Sequence, residues 1–458
     1  MDKVNFLAQV MKILIDKNIP YVEHFFADHL DQIEYFSDED FEIENVKEDS
    51  VVVVRSTYKT HGKKIPKSIQ FLCSASTGED HIDKKELNNM KIPYAFSTGA
   101  NAIAVAEYVF STLALMLKER KFDKNLHAAA IIGCGNIGGK VIKTLDTFHF
   151  EVYGYDPFKK VIFDCEYSAS LTNESEFIKY SGFDNSLQGD EIGLYEALSG
   201  KFDTGSSKIQ LISLHVPLHD GFDIHSKNHL TEEQVLRFLE PYMNLDVPSF
   251  IRGPDLSPAD FTEEEFSHLF PSKNIINKEI LEQLSEGAII INTSRGGVVC
   301  EKDFLELDDD LHYIRLISDV FENEPNINKD FLDKNLFATP HIAGHSQYAR
   351  YQMTKMAYEN VANFLGIKNT EKENILENKI VDFDKNTFDQ DMKEFGLPVS
   401  LMLDTYNPKL DHFECADFKK IRDNYNSRIG YSQVVIKGCE DDSDRIPLKM
   451  LGFKVQDS

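Results

Sequence analysis

The chain has 458 residues, 42% hydrophobic and 11% aromatic, with a formal net charge of −27. That apolar content makes disorder not the default and supports a large core in roughly two to four domains. The charge repels nucleic acid and anionic membrane, so neither is expected as a partner, and an anionic ligand needs clustered Arg and Lys to enter against the global field.

The opening MDKVNFLAQVMKILID has an acidic second residue and only short apolar runs, so it reads as neither a secretory signal nor a membrane span, with Met11 an alternative start. From Met11 to about Phe96, the short runs KILID, VVVVRST and IQFLC alternate with polar helical stretches, which predicts a small α/β domain with a parallel sheet. NAIAVAEYVFSTLALMLK, residues 101–118, predicts a long helix with Asn101 as its N-cap, and AAIIGCGNIGG opens a second α/β unit. Strands follow at residues 151–156, 209–217, 287–294 and 314–321, each ending where a ligand loop begins.

Two segments interrupt this plan, near 164–207 and 220–274. The second holds five of the fifteen prolines, and its capping-box patterns at Thr231/Gln234 and Thr262/Glu265 predict two short helices on an inserted arm. A helix from Gln347 to Leu365 returns the chain to the first domain. After about Thr370, FKKIRDNYNSR and the strand-like runs YSQVVIKG and LKMLGFKV predict a third, small α/β domain. The expected division is 1–100 completed by 341–368, then 101–340, then 369–458. Cys73, Cys134, Cys165, Cys300, Cys415 and Cys439 show no CxxC pair or metal-ligand rhythm, so a reducing cytoplasm is expected, without disulfides or a metal.

Gly133, Gly135, Asn136, Ile137 and Gly138 form a GxGxxG loop between the apolar strand AAII and a helix, where backbone N–H groups and the helix dipole can receive a pyrophosphate. Asp156, about eighteen residues on at the end of the next strand, is placed to bind the adenosine ribose and repel a 2′-phosphate, which selects NAD over NADP. The bland alternative is a structural glycine turn and an unrelated surface Asp. INTSRGG, SDVFENEP and TPHIAGH then supply Arg295, Glu324 and His341. A guanidinium grips a carboxylate at two points, and a carboxylate beside an imidazole orients it and favours its charged form. Alone, Arg295 reads as a structural arginine and His341 as a turn residue; as a set they suit oxidation of a 2-hydroxy acid.

SRGGVV, DVFENEP and TPHIAG resemble the three signatures of the D-isomer-specific 2-hydroxyacid dehydrogenases, and TGANAIAVAEYV resembles the helix joining their two domains. VVVVRST, ASTGEDHID, PHIAGHS, FKKIRDNYNSR and LKMLGFKV resemble the erythronate-phosphate branch of that family. The likeness covers nearly the whole chain outside the two inserted segments. It implies a Rossmann-type doubly wound NAD domain, a flavodoxin-like substrate domain and a C-terminal α/β dimerisation domain, hence a homodimer. The implied activity is NAD-dependent oxidation of a phosphorylated 2-hydroxy acid, 4-phospho-D-erythronate, in pyridoxal phosphate biosynthesis.

By position, the resemblance implies Arg295 and Glu324 as active-site residues and His341 as proton donor. Ser56, Ser76 and His345 fall at substrate positions, and Asn136, Ile137, Asp156, Val216, Asp319 and Gly344 near NAD. His345 stands where the family often has Tyr, Ser76 where Thr is frequent, and Val216 where a cofactor-contacting Thr is usual. Arg55, beside Ser56, is the expected phosphate contact, with Lys419, Lys420, Arg422 and Arg428 as possible helpers. Two alternatives stay open: oxidation of 3-phospho-D-glycerate or another D-2-hydroxy acid by the same parts, and an NAD-sensing binding protein on the same scaffold. The tail FKKIRDNYNSR, in place of a regulatory amino-acid-binding module, favours the first reading over the glycerate one.

Overall fold

The structure, a computed structural model, describes residues 11–155, 208–218, 272–307, 313–368, 371–414 and 417–456. Asp156 and both capping-box helices of the inserted arm lie outside the described residues. The chain divides into two compact units, one of residues 1–104, 344–380 and 427–435, the other of 105–343, 381–426 and 436–458. It passes between them inside the helix Ala102–Lys118 and again between Ala343 and Gly344.

The first unit carries β1 (Lys12–Asp16), β2 (Ile33–Phe36), β3 (Ser50–Val54), β4 (Ile69–Ser74) and β5 (Tyr94–Phe96), in the parallel order β2-β1-β3-β4-β5. This is the flavodoxin-like order, whose switch point lies between β1 and β3. Because side chains alternate along a strand, Ile13, Ile15, Val51 and Val53 join one core, and Leu14, Val52 and Val54 join the other. The first core is closed by Tyr351, Ala357, Tyr358 and Val361 of the helix Gln347–Leu365. That helix has the expected bounds: Ser346 caps it by accepting the Ala349 N–H, and Gly366 ends it at φ 67°.

The second unit carries β6 (His127–Ile132), β7 (Val152–Tyr155), β8 (Lys208–Leu214), β9 (Ile289–Asn292), β10 (Arg315–Ser318) and β11 (Phe337–Ala338), in the order β11-β10-β9-β8-β6-β7. Every pair is parallel, and the order reverses at β6, the strand that feeds the glycine loop. Its core includes Ile212, Ile290 and Leu316, together with Phe413 and Phe418, whose rings each lie 6.0 Å from Phe321. Part of the tail is therefore core of this unit.

A third sheet, β12 (Lys379–Asp382), β13 (Val434–Lys437) and β14 (Lys454–Val455), has the order β12-β13-β14. Two expectations need correction. LKMLGFKV is not one strand: LKML ends the helix Asp442–Leu451, Gly452 stops it at φ 107°, and only Lys454–Val455 is extended. Good helix formers followed by glycine favour a helix end over a strand. Asn101 does not cap through its carbonyl, since its Oδ1 is buried without a hydrogen bond. Among the described residues, no helix is long and apolar enough to cross a membrane.

Candidate active site

The glycine loop is shaped by close packing. Gly133 sits at φ 88°, and a Cβ there would meet the His215 carbonyl oxygen at 2.7 Å and Val216 Cγ1 at 2.9 Å. A Cβ on Gly138 would lie 1.9 Å from the Gly133 oxygen, whereas one on Gly135 would meet nothing within 4 Å. Two glycines thus let the loop fold, and the third leaves its outer face open. Ile137 leads into the helix Gly138–Thr147 with no side-chain cap; the Gly139 N–H donates to the Gly135 carbonyl at 2.9 Å, and the helix N-terminus otherwise presents its partial positive charge to an anion. These features fit the pyrophosphate of a dinucleotide. Val216 packs over Gly133, an apolar contact where the resemblance implies a hydroxyl.

Arg295 is positioned by a turn after β9. Asn292 Oδ1 accepts the Ser294 N–H at 3.1 Å and its hydroxyl at 2.8 Å, while Asn292 Nδ2 donates to the Arg295 carbonyl at 3.1 Å. A Cβ on Gly296 would fall 1.9 Å from the Phe321 oxygen. The arginine loop therefore rests directly on the segment leading to Glu324.

Glu324 Oε1 accepts the Phe321 N–H at 3.0 Å, and its Oε2 accepts from His341 Nδ1 at 2.7 Å. Burial pushes the Glu324 carboxyl up, but the His341 charge and hydrogen bond, the Phe321 N–H and the Arg422 charge together bring it below its ordinary value. His341 has φ 57°, a left-handed conformation that a non-glycine residue holds only when its surroundings fix it. Its Nε2 has no partner among the described residues, and the side chain is 28% exposed. One nitrogen is oriented and the other is available for proton exchange.

Asp319 fixes that left-handed turn. Its Oδ1 accepts the Thr339 hydroxyl and the Ile342 N–H, each at 2.7 Å, and its Oδ2 accepts the Ala343 N–H at 2.9 Å. Burial still pushes the carboxyl up to about 6, with the His341 charge and these hydrogen bonds opposing. The resemblance implies Asp319 near NAD; its loop-holding bonds to Ile342 and Ala343 join residues more than twenty positions apart and leave no local signal.

Glu301 was missed. It begins the helix Glu301–Leu305, is buried, and accepts the Glu322 N–H at 2.7 Å, while Glu322 Oε1 faces the Glu301 N–H at 3.5 Å. Burial, with the Glu322 and Glu324 charges, pushes Glu301 up to about 7. In sequence it resembles an ordinary acidic residue in a first helical turn.

The substrate-contact candidates Arg55, Ser56, Ser76 and His345 belong to the first unit, as does Gly344. Ser76 is buried, with its hydroxyl 2.8 Å from the Ser74 hydroxyl, which is 2.8 Å from His81 Nε2. Ser56 is exposed and His345 half-buried. Arg55 donates through Nε to Asp16 at 2.8 Å and through Nη2 to Asp38 at 3.2 Å, so two carboxylates already meet its charge.

Residues 269–343 match the sequence profile of a family described as "D-isomer specific 2-hydroxyacid dehydrogenase, NAD binding domain". The erythronate-4-phosphate dehydrogenase of Pseudoalteromonas translucida is 26% identical over 453 residues, 97% of this chain and 100% of the relative. That of Psychromonas ingrahamii is 28% identical over 360 residues, 78% of this chain and 73% of the relative. Among solved structures, a D-lactate dehydrogenase of Aquifex aeolicus complexed with NAD and lactic acid matches with 19% identity and a TM-score of 0.50, covering 78% of this chain and 96% of that one. The Rhodotorula graminis D-mandelate dehydrogenase matches with 13% identity and a TM-score of 0.50, covering 80% and 98%. These two likenesses bear on the fold. The glycine loop, the Arg295 turn and the Glu324–His341 pair thus occur in a chain similar to the D-isomer-specific 2-hydroxyacid dehydrogenases, whose NAD-binding-domain profile it matches over residues 269–343.

Proposed function

We propose that this protein is an NAD-dependent dehydrogenase that oxidises 4-phospho-D-erythronate to 2-oxo-3-hydroxy-4-phosphobutanoate, a step toward pyridoxal 5′-phosphate. The observation that carries the chemistry is the 2.7 Å Glu324–His341 contact with an open Nε2. The end-to-end match to an erythronate-4-phosphate dehydrogenase supports the substrate.

Neutral His341 takes the 2-hydroxyl proton at Nε2, and Glu324 stabilises the imidazolium through Nδ1. Arg295 holds the substrate carboxylate and meets the negative charge that develops on the reacting oxygen. Asp319 keeps His341 in its left-handed turn. NAD, when bound, supplies the acceptor for the hydride that leaves C2. Gly133, Gly135, Asn136, Ile137 and Gly138 would hold its pyrophosphate and Asp156 its adenosine ribose.

The protein works as a two-fold homodimer in the cytoplasm. Ile375 (50% exposed), Ile380 (59%), Leu410 (82%) and Ile446 (50%) all lie after residue 370, exposed apolar side chains that support a tail-mediated interface. Free Cys73, Cys134, Cys300 and Cys439 suit a reducing compartment. The reading is tested by following NAD reduction with 4-phospho-D-erythronate, 3-phospho-D-glycerate and D-lactate in parallel. The first should give a kcat/KM well above the others; preference for 3-phospho-D-glycerate would reject it while leaving a dehydrogenase.

A further inference from the structure

In the first unit, Arg350 is a cation without a counter-ion among the described residues. It lies in the first turn of the helix Gln347–Leu365, half-buried, and its Nη1 donates to the Ser427 hydroxyl at 3.2 Å. Among the described residues no carboxylate pairs with it. In a chain with 76 acidic and 49 basic residues, a structural arginine would readily find one. Enclosing a charge without a partner is costly, and a like charge nearby adds to the cost. Both effects act here: burial and the Arg55 charge push the guanidinium's pKa down, with Tyr21 opposing.

The location indicates what offsets this cost. Tyr21 follows β1 and Arg55 follows β3, the two strands that flank the switch point of this sheet, outside whose carboxyl ends such folds place ligands. Tyr21 is held at φ 60° with its ring 5.5 Å from that of Tyr351, edge to face. Asp16 and Asp38 are bonded to Arg55, whereas no carboxylate among the described residues is bonded to Arg350, whose guanidinium is left for a ligand.

We propose that Arg350, with the Ser427 hydroxyl and the Tyr21 phenol beside it, forms an anion subsite that takes the terminal phosphate of the hydroxy-acid substrate and sets the preference for phosphorylated acids. The identity of that anion rests on the function proposed above. Arg55 then serves to hold the turn carrying Ser56.

Arg350→Gln and Arg350→Lys test this in the full-length protein, with thermal melting as a check on folding. In titration calorimetry with inorganic phosphate, R350Q should weaken binding roughly tenfold or more, and R350K should fall between it and wild type because an ammonium keeps the charge but not the fork. In steady state, R350Q should raise KM for 4-phospho-D-erythronate by a similar factor while leaving kcat/KM for unphosphorylated D-erythronate unchanged. Phosphate binding equal to wild type in R350Q, no phosphate binding by wild type at millimolar concentration, or equal losses on both acids would overturn the proposal. Arg350-dependent binding of free phosphate without any turnover of 4-phospho-D-erythronate would support the anion subsite and refute the substrate assignment, so the two failures are distinguishable.

Discussion

Glu324 and His341 are joined at 2.7 Å, and the same carboxylate takes the backbone N–H of Phe321 through its other oxygen. The pair thus orients the imidazole and ties it to the segment on which the Arg295 loop rests. His341→Asn should lower kcat by roughly two to four orders of magnitude with NAD affinity nearly intact. Single-turnover rates and NAD titration check this; near-normal turnover would remove His341 from the chemistry.

The same pair predicts a pH dependence of stability. The Glu324 carboxyl is held below its ordinary value, so it binds fewer protons folded than unfolded. Its contribution is present above the unfolded carboxyl range, about 4.3, and lost as pH falls through the folded value. Urea midpoints of wild type and Glu324→Gln should therefore converge as the pH drops below about 4. A constant gap across that range would contradict the linkage.

Glu301 carries the opposite sign. Pushed up to about 7, it holds a proton more tightly folded than unfolded. Stability should fall as pH rises from the unfolded carboxyl range toward 7, by at most about 1.4 kcal/mol per pH unit, and Glu301→Gln should flatten that slope. Parallel curves for the two proteins would mean that Glu301 ionises as freely folded as unfolded.

Asp319→Asn replaces one acceptor oxygen by a donor, yet three hydrogen bonds converge on that carboxylate. Leaving one donor unmet costs about 1–3 kcal/mol of stability. Displacing the His341 turn should lower kcat by up to about a hundredfold. Unchanged kcat in a destabilised variant would show that Asp319 has no positioning role.

Gly296→Ala asks whether contact between the arginine loop and the Phe321 segment is required. A methyl group 1.9 Å from a backbone oxygen cannot be accommodated without moving one loop. A loss of about 1–3 kcal/mol is expected, with a rise in KM from displaced Arg295. Wild-type kinetics would show that the two loops separate freely.

Much of this was legible because its causes are local. KILID and VVVV alternate between two cores as their spacing requires, and the GxGxxG loop lies between strand and helix as read. Arg295 and Glu324 are held by short, signature-rich turns, whereas the His341 turn depends on Asp319 more than twenty residues away. The missed features depend on long-range partners. The Glu301 clamp on Glu322 and the lack of an acid beside Arg350 among the described residues are tertiary facts with no sequence period. Phe413 and Phe418 sit in polar surroundings along the chain, and nothing local announces that they pack against Phe321. LKMLGFKV reads as a strand on its apolar content, but its glycine ends a helix, and the helix formers before it decide the conformation.

The central claim is that a hydride leaves C2 of the phosphorylated acid for NAD while His341 takes the hydroxyl proton. Single turnover with 4-phospho-D-erythronate deuterated at C2 tests it directly, with the reduced nucleotide analysed by mass spectrometry. The account predicts one deuterium per reduced nucleotide and a rate that collapses in His341→Asn. Deuterium released to solvent, or no reduced nucleotide from the wild-type protein, would contradict it.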